Sequence, residues 1–143
     1  MRFPTAVRAF VIIQLVAAVW AIAFGLPYEF GGAGSPDRVF QDAWTHGTAL
    51  SAPIPFLALM VLLGFASRRP GRSGTTATIV LMILLVMSAV AGLFEAAWRR
   101  ALFGEIPRTA ATGVLVLTLL GMMCVCSALV EEWRRLRPAL RRP

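Results

Sequence analysis

Four long apolar runs in a chain of 143 residues constrain its fold more than any other feature. The runs cover approximately residues 9–26, 50–67, 77–98 and 110–130. At ~1.5 Å of rise per residue, about 20 helical residues cross the ~30 Å hydrocarbon core of a bilayer. Backbone polar groups in that core must bond to one another, so each run is predicted to form a helix. Because the runs are apolar on all sides, they do not fit a water-soluble bundle, whose helices need polar outer faces.

The chain is therefore predicted to be an all-α integral membrane protein, a four-transmembrane-helix bundle that forms a single membrane domain over residues 1–143. Hydrophobic residues make up 58% of the chain and charged residues 15%, which leaves no room for a second, water-soluble domain. The composition thus excludes a separate soluble catalytic or nucleic-acid-binding module.

The first run also resembles a secretory signal, because Arg2 and Arg8 precede it and a small-x-small site lies at Ala21-Ile22-Ala23. Its apolar part is longer than the ~7–15 residues of a signal sequence, so we favour a retained helix. Cleavage would leave three spans.

The arginines predict the orientation of the bundle. All 14 cationic side chains are arginines; with both termini and the 67–76 loop in the cytoplasm, ten of the 14 lie inside and four outside. The four are Arg38, Arg99, Arg100 and Arg108. This asymmetry follows the positive-inside rule and predicts both termini on the cytoplasmic side of a bacterial plasma membrane. Exclusive arginine use fits either selection for binding phosphate or lipid headgroups or a GC-rich coding sequence; we favour the second explanation, and no nucleic-acid partner is expected.

The loop between the first two runs is predicted to contain a short extracytoplasmic amphipathic helix. Ser35, Pro36 and Asp37 form a good helix start, in which the serine oxygen would cap free amides, and Gly47 can end the helix. Its apolar side would consist of Val39, Phe40, Ala43 and Trp44.

Small residues spaced four apart predict where helices pack closely. They are Ala17, Ala21 and Gly25 in the first run, and Ser88, Gly92 and Ala96 in the third. Gln14 shares the face of the first series, so its amide should point at a neighbouring helix, either as a packing hydrogen bond or as a polar group that lines a pathway.

One group of polar residues near the outer end resembles a site. Glu95 continues the small-residue face of the third run, and Arg99 follows at the spacing of a helical ion pair. Asp42 and His46 would share a face of the surface helix. If that helix folded over the bundle, Asp42, His46 and Glu95 could act as acid, base or metal ligands.

No cofactor or metal is predicted. Met122, Cys124 and Cys126 are soft ligands, but residues two apart on a helix point in nearly opposite directions.

The basic tail at residues 131–143 is expected to continue the last helix until Pro138 and to contact anionic lipid headgroups. The arginines concerned are Arg134, Arg135, Arg137, Arg141 and Arg142. A membrane-protein partner or a homo-oligomer is the further expectation.

Three functions stay open on the sequence. The first is a non-catalytic accessory or interaction subunit, favoured because the motifs of common enzymes are missing. The second is a small transporter or proton-coupled carrier that uses Glu95. The third is a membrane enzyme with a site at Asp42, His46 and Glu95.

Overall fold

The structure, a computed structural model, describes residues 4–28, 35–95 and 97–140, and the regular elements among these residues are all helical. They are α1 (Thr5–Ala23), a 3₁₀ turn (Pro36–Arg38), α2 (Val39–Thr45), α3 (Ile54–Ala66), α4 (Arg72–Phe94), α5 (Ala97–Leu102) and α6 (Arg108–Leu140). Helices α1, α4 and α6 are long and apolar enough to cross a membrane, and α3 is a shorter apolar helix. Large apolar side chains cover the outside of the bundle, among them Val19, Leu62, Leu119 and Met123. These features are consistent with a membrane helical bundle.

The four apolar helices pack around a shared core. Helix α1 packs chiefly against α6, and α4 packs against both α3 and α6. Phe10, Met60, Leu81 and Leu85 are almost fully buried where α1, α3 and α4 meet. We name the two ends by their contents: the charged end contains Arg68, Glu131 and Glu132, and the cavity end contains His46 and Glu95.

Helix α3 is shorter than the apolar run that predicted it. Pro53 is its N-cap with an extended backbone, and Pro55 lies in its first turn. Proline disfavours a helical conformation in the residue before it, so Pro53 disfavours extension of the helix through Ala52. The 13 residues of α3 span about 20 Å, and residues 47–53 continue toward the cavity end as non-helical chain.

The amphipathic helix between the first two runs is present as the 3₁₀ turn and α2. Gly47 ends α2 as predicted: its φ is +93°, and its amide donates to the carbonyl of Asp42 at 2.6 Å. The predicted cap by Ser35 is wrong, because its side chain makes no capping hydrogen bond and the first turn is 3₁₀ rather than α. Val39 and Ala43 are buried, whereas Phe40 and Trp44 are exposed at the surface of the bundle.

The third and fourth runs also differ from their predicted boundaries. Helix α4 ends at Phe94, since the backbone of Glu95 is extended (ψ 134°), and α5 begins at Ala97. Helix α6 continues through Pro138 to Leu140. Proline removes one amide donor, and so close to a helix end few hydrogen bonds depend on it.

Two of the three small residues that predict a packing series on α1 lie within that helix, and Gly25 does not. Ala17 and Ala21 are buried. Gly25 lies beyond the end of α1 with φ +59°, and so it turns the chain rather than packing between helices. On α6, Gly113 lies directly against the indole ring of Trp20.

The charged end is held together by a buried ion cluster that helix spacing could not predict. Arg68 Nη2 donates to Glu131 Oε1 at 2.9 Å and to Glu132 Oε1 at 2.8 Å. Glu132 is fully buried, and Glu131 Oε2 also accepts from the amide of Ala6 at 3.1 Å. The cluster therefore joins the start of α1, the α3–α4 connection and the last turns of α6 at one end of the bundle.

Replacing Gly113 tests the α1–α6 contact. A Cβ at this position would overlap with the Trp20 indole, so Gly113→Ala should destabilise the protein by about 1–3 kcal/mol, the usual cost of overpacking. Gly92→Ala in α4 is the matched control, because no atom lies within 4 Å of the place its Cβ would take. Thermal unfolding in detergent measures both. Equal melting temperatures for the two variants would contradict the contact.

Removing the shared arginine tests the ion cluster. Arg68→Gln removes the guanidinium that donates a hydrogen bond to the buried Glu132, which should cost about 3 kcal/mol of stability. The second change Glu132→Gln removes the uncompensated charge and should restore much of the loss. Arg69→Gln, at an exposed neighbouring position, is the control and should be neutral. Denaturant unfolding in a fixed detergent provides the comparison, and a neutral Arg68→Gln would show that the cluster is not needed.

Candidate functional site

A cavity of about 300 Å³ lies between α1, α3, α4 and α6, and it extends from the cavity end toward the core. Its volume is at the lower limit of the range typical of small-molecule sites, ~300–1,000 Å³. The polar side chains that line it are Gln14, Tyr28, His46, Thr48, Ser51, Ser88, Glu95 and Thr118. The deeper wall is apolar and includes Phe10, Phe56, Met87, Met122 and Val125. The cavity is thus amphipathic along its length.

Glu95 contributes a carboxylate to the polar part of the cavity. The residue is 6% exposed. It follows the last residue of α4, and its extended backbone separates α4 from α5. Burial and, secondly, the negative charge of Glu95 raise the pKa of Tyr28 above its ordinary value. The Tyr28 hydroxyl therefore keeps its proton at neutral pH and can donate it in a hydrogen bond.

His46 lies at the mouth of the cavity. Its side chain is 66% exposed, and its ring stacks near that of Tyr28 with centroids 6.2 Å apart. The Nδ1 atom is 2.8 Å from the Thr45 hydroxyl and 3.9 Å from an oxygen of Asp42. Asp42 contacts His46 but does not line the cavity.

The non-helical chain before α3 supplies one wall of the cavity. Ala52 donates its amide hydrogen to Gln14 Oε1 at 2.9 Å. The hydroxyls of Thr48 and Ser51 are 3.0 Å apart, and the Thr48 hydroxyl also accepts from the Ser51 amide at 3.2 Å. Gln14 therefore bonds to the non-helical chain before α3 rather than to a neighbouring helix, and it also lines the cavity.

The face of α4 that is predicted to pack against another helix contains Ser88 and Gly92. In the structure these two residues line the cavity. Gly92 has no atom within 4 Å of where its Cβ would lie, which is not the environment of a close packing residue. The Ser88 hydroxyl donates to the Leu84 carbonyl of its own helix at 3.0 Å. Ala96 lies outside the described residues. The prediction of close packing is therefore wrong for Gly92, because the α4 stripe borders open space.

The structure brings together some of the predicted polar residues and not others. His46 and Glu95 line one cavity, whereas Asp42 and Arg99 do not. The Glu95–Arg99 pair was predicted from helical spacing, which the extended backbone at Glu95 interrupts, and the pair stays a prediction. Within the described parts of the chain, no three His, Cys, Asp or Glu side chains are grouped so that they could hold a metal ion.

Sequence patterns did not indicate four of the polar residues in the cavity, of which one, Thr118, lies on α6. Tyr28, Thr48 and Ser51 all lie in non-helical segments, where no periodicity shows which side chains point inward. The one available signal is Pro53-Ile54-Pro55, since two prolines separate the apolar segment before them from the helix that follows.

No protein family, curated protein or solved structure matches this chain. The geometry of the cavity is accordingly the basis for assigning a function.

Proposed function

We propose that this protein binds a small amphipathic molecule in the cavity between α1, α3, α4 and α6. The observation that carries the proposal is the division of the cavity into a polar part with Glu95, Tyr28 and His46 and an apolar part. Such a division orients a ligand that has one polar group and one hydrocarbon group. We favour a non-catalytic binding or carrier role over an enzyme with a site at Asp42, His46 and Glu95, because Asp42 does not line the cavity.

The polar groups favour a ligand with a cationic or hydrogen-bond-donating head. Glu95 offers carboxylate oxygens, which accept hydrogen bonds and do not donate them, so a cationic or donor headgroup complements it better than a second carboxylate does. The deeper wall of aromatic rings and methionines suits an alkyl or aromatic tail. We therefore expect amphiphilic amines and alcohols to bind and fatty carboxylates to be rejected.

We further propose that all four apolar helices span the bacterial cytoplasmic membrane, with both termini in the cytoplasm. Helix α3 covers about 20 Å, and the non-helical residues before it extend the path. The contacts among Ala6, Arg68 and Glu131 support an even number of spans, because they join both chain ends and the α3–α4 connection. The charged end would then face the cytoplasm.

Filling the cavity tests the binding proposal. Gly92→Leu places a side chain in the open space beside α4 and should abolish binding of decylamine and decanol without loss of stability. Glu95→Gln should weaken decylamine binding about tenfold or more, the value of a charge-assisted hydrogen bond, and affect decanol less. Native mass spectrometry of detergent-purified protein, titrated with decylamine, decanol and decanoate, measures the affinities.

Glu105→Gln is the matched control for charge, because Glu105 is an exposed carboxylate outside the cavity. Its affinities should equal those of the wild type. A folded Gly92→Leu protein that binds all three probes like the wild type would rule out the cavity as the binding site.

An interaction subunit is the second candidate function, and the exposed arginines of the tail, Arg134 and Arg137, support it. The small residues of α1 support an interaction subunit less, because Ala17 and Ala21 are buried within the bundle itself. Native mass spectra of the detergent-purified protein distinguish the two functions. A distinct protein that co-purifies with the wild type and with Gly92→Leu in equal amounts would favour the interaction subunit.

Reporter fusions test the topology. A fluorescent protein fused after Pro143 should fluoresce, and alkaline phosphatase should be active after Glu105 and inactive after Arg69, because of these three positions only Glu105 lies outside. As controls, the fluorescent protein is fused after Glu105 and after Arg69, and alkaline phosphatase is fused after Pro143. Active phosphatase after Arg69 would mean that α3 does not cross the membrane.

A further inference from the structure

The charged end carries a cleft that is separate from the cavity. Three guanidinium groups line it, those of Arg68, Arg134 and Arg135, together with the carboxylate of Glu131. Glu132 is buried beneath them and does not line the cleft. Three cations and one anion give the walls of the cleft a net positive charge, which suits an anionic group.

The arginines keep donor capacity after pairing with the glutamates. A guanidinium has five N–H donors, and Arg68 uses its Nη2 atom for both Glu131 and Glu132. The Nε atom of Arg68 and the Nη1 atom of Arg135 are buried, and neither has a hydrogen-bond partner among the described residues. Buried donors are normally paired, so these two atoms mark a part of the cluster whose hydrogen bonds the described residues leave incomplete.

Apolar side chains continue from the cleft along α6. Cys126, Val130 and Arg134 are spaced four residues apart on one face of the helix, and all three are exposed. Trp133 is 49% exposed beside them, as is typical of the boundary between hydrocarbon and headgroups. This face therefore offers apolar contacts at Cys126 and Val130 to the acyl chain of a lipid whose anionic headgroup reaches Arg134.

We propose that this cleft binds the phosphate of one anionic phospholipid. Phosphate is the group that guanidinium forks bind with two parallel hydrogen bonds, and the apolar strip below provides the place for a lipid tail. The site does not depend on the ligand of the cavity; it depends on membrane insertion with the charged end at the headgroup level. It differs from diffuse attraction to a basic tail because it needs particular arginines.

The test compares two exposed arginines at the same end of the bundle. Native mass spectrometry of delipidated protein with phosphatidylglycerol should show one tightly retained lipid, and phosphatidylcholine should be retained less. Arg134→Gln should weaken phosphatidylglycerol binding about tenfold, whereas Arg72→Gln, which is outside the cleft, should leave it unchanged. Arg134→Lys keeps the charge but not the planar fork, so it should bind with intermediate affinity.

Three outcomes would overturn the proposal. Equal weakening by Arg134→Gln and Arg72→Gln would indicate diffuse attraction to all basic residues. Inorganic phosphate that competes as well as soluble short-chain phosphatidylglycerol would show that no lipid tail is bound. An acidic protein that remains on the wild type in place of lipid, and is lost in Arg134→Gln, would assign the cleft to a protein partner. Unchanged melting temperatures of the variants serve as the check on folding.

Discussion

The cavity depends on the satisfaction of backbone hydrogen bonds in the non-helical chain that precedes α3. An apolar bundle tolerates such chain only where its amides and carbonyls find partners. Here the Thr48 amide bonds to the Ser51 carbonyl at 2.9 Å, and the Ala52 amide bonds to Gln14 at 2.9 Å. Because these amides have partners, residues 47–53 can remain non-helical in the place where further turns of α3 would otherwise lie. The cavity borders this segment, so the open volume and the interruption of the helix are linked.

The two ends of the bundle are stabilised by different interactions. At the charged end, Arg68 bonds to carboxylates more than 60 positions away in the sequence, and one of them, on Glu132, is fully buried. Charge-assisted hydrogen bonds of this kind are stronger than neutral ones. At the cavity end, the bonds of Thr48 and Ser51 are neutral and span three residues. Any opening that admits a ligand is therefore expected at the cavity end, where the least has to be broken.

The helices could be predicted from the sequence because each apolar run has a length set by the bilayer. Gly47 was also predictable as a helix end, since glycine readily adopts the positive φ required there. The pairing of Arg68 with Glu131 could not be predicted, because it joins distant segments and depends on how the helices pack. The sequence predicted no cavity, although Gln14, His46 and Glu95, which line it, were among the polar residues that it singled out. Tyr28 lies after α1, where side-chain direction follows from tertiary contacts alone.

Gln14 shows why the structural and functional interpretations of a buried polar residue are not alternatives. Its Oε1 atom accepts the Ala52 hydrogen bond, and so it fixes the chain that forms one wall of the cavity. Its Nε2 atom lies on the side of Gly121, and both residues line the same cavity. An amide carries donor hydrogens as well as an acceptor, so one side chain can hold the wall and still donate to a ligand. A hydrogen bond within the bundle is therefore no argument against a role for Gln14 in binding.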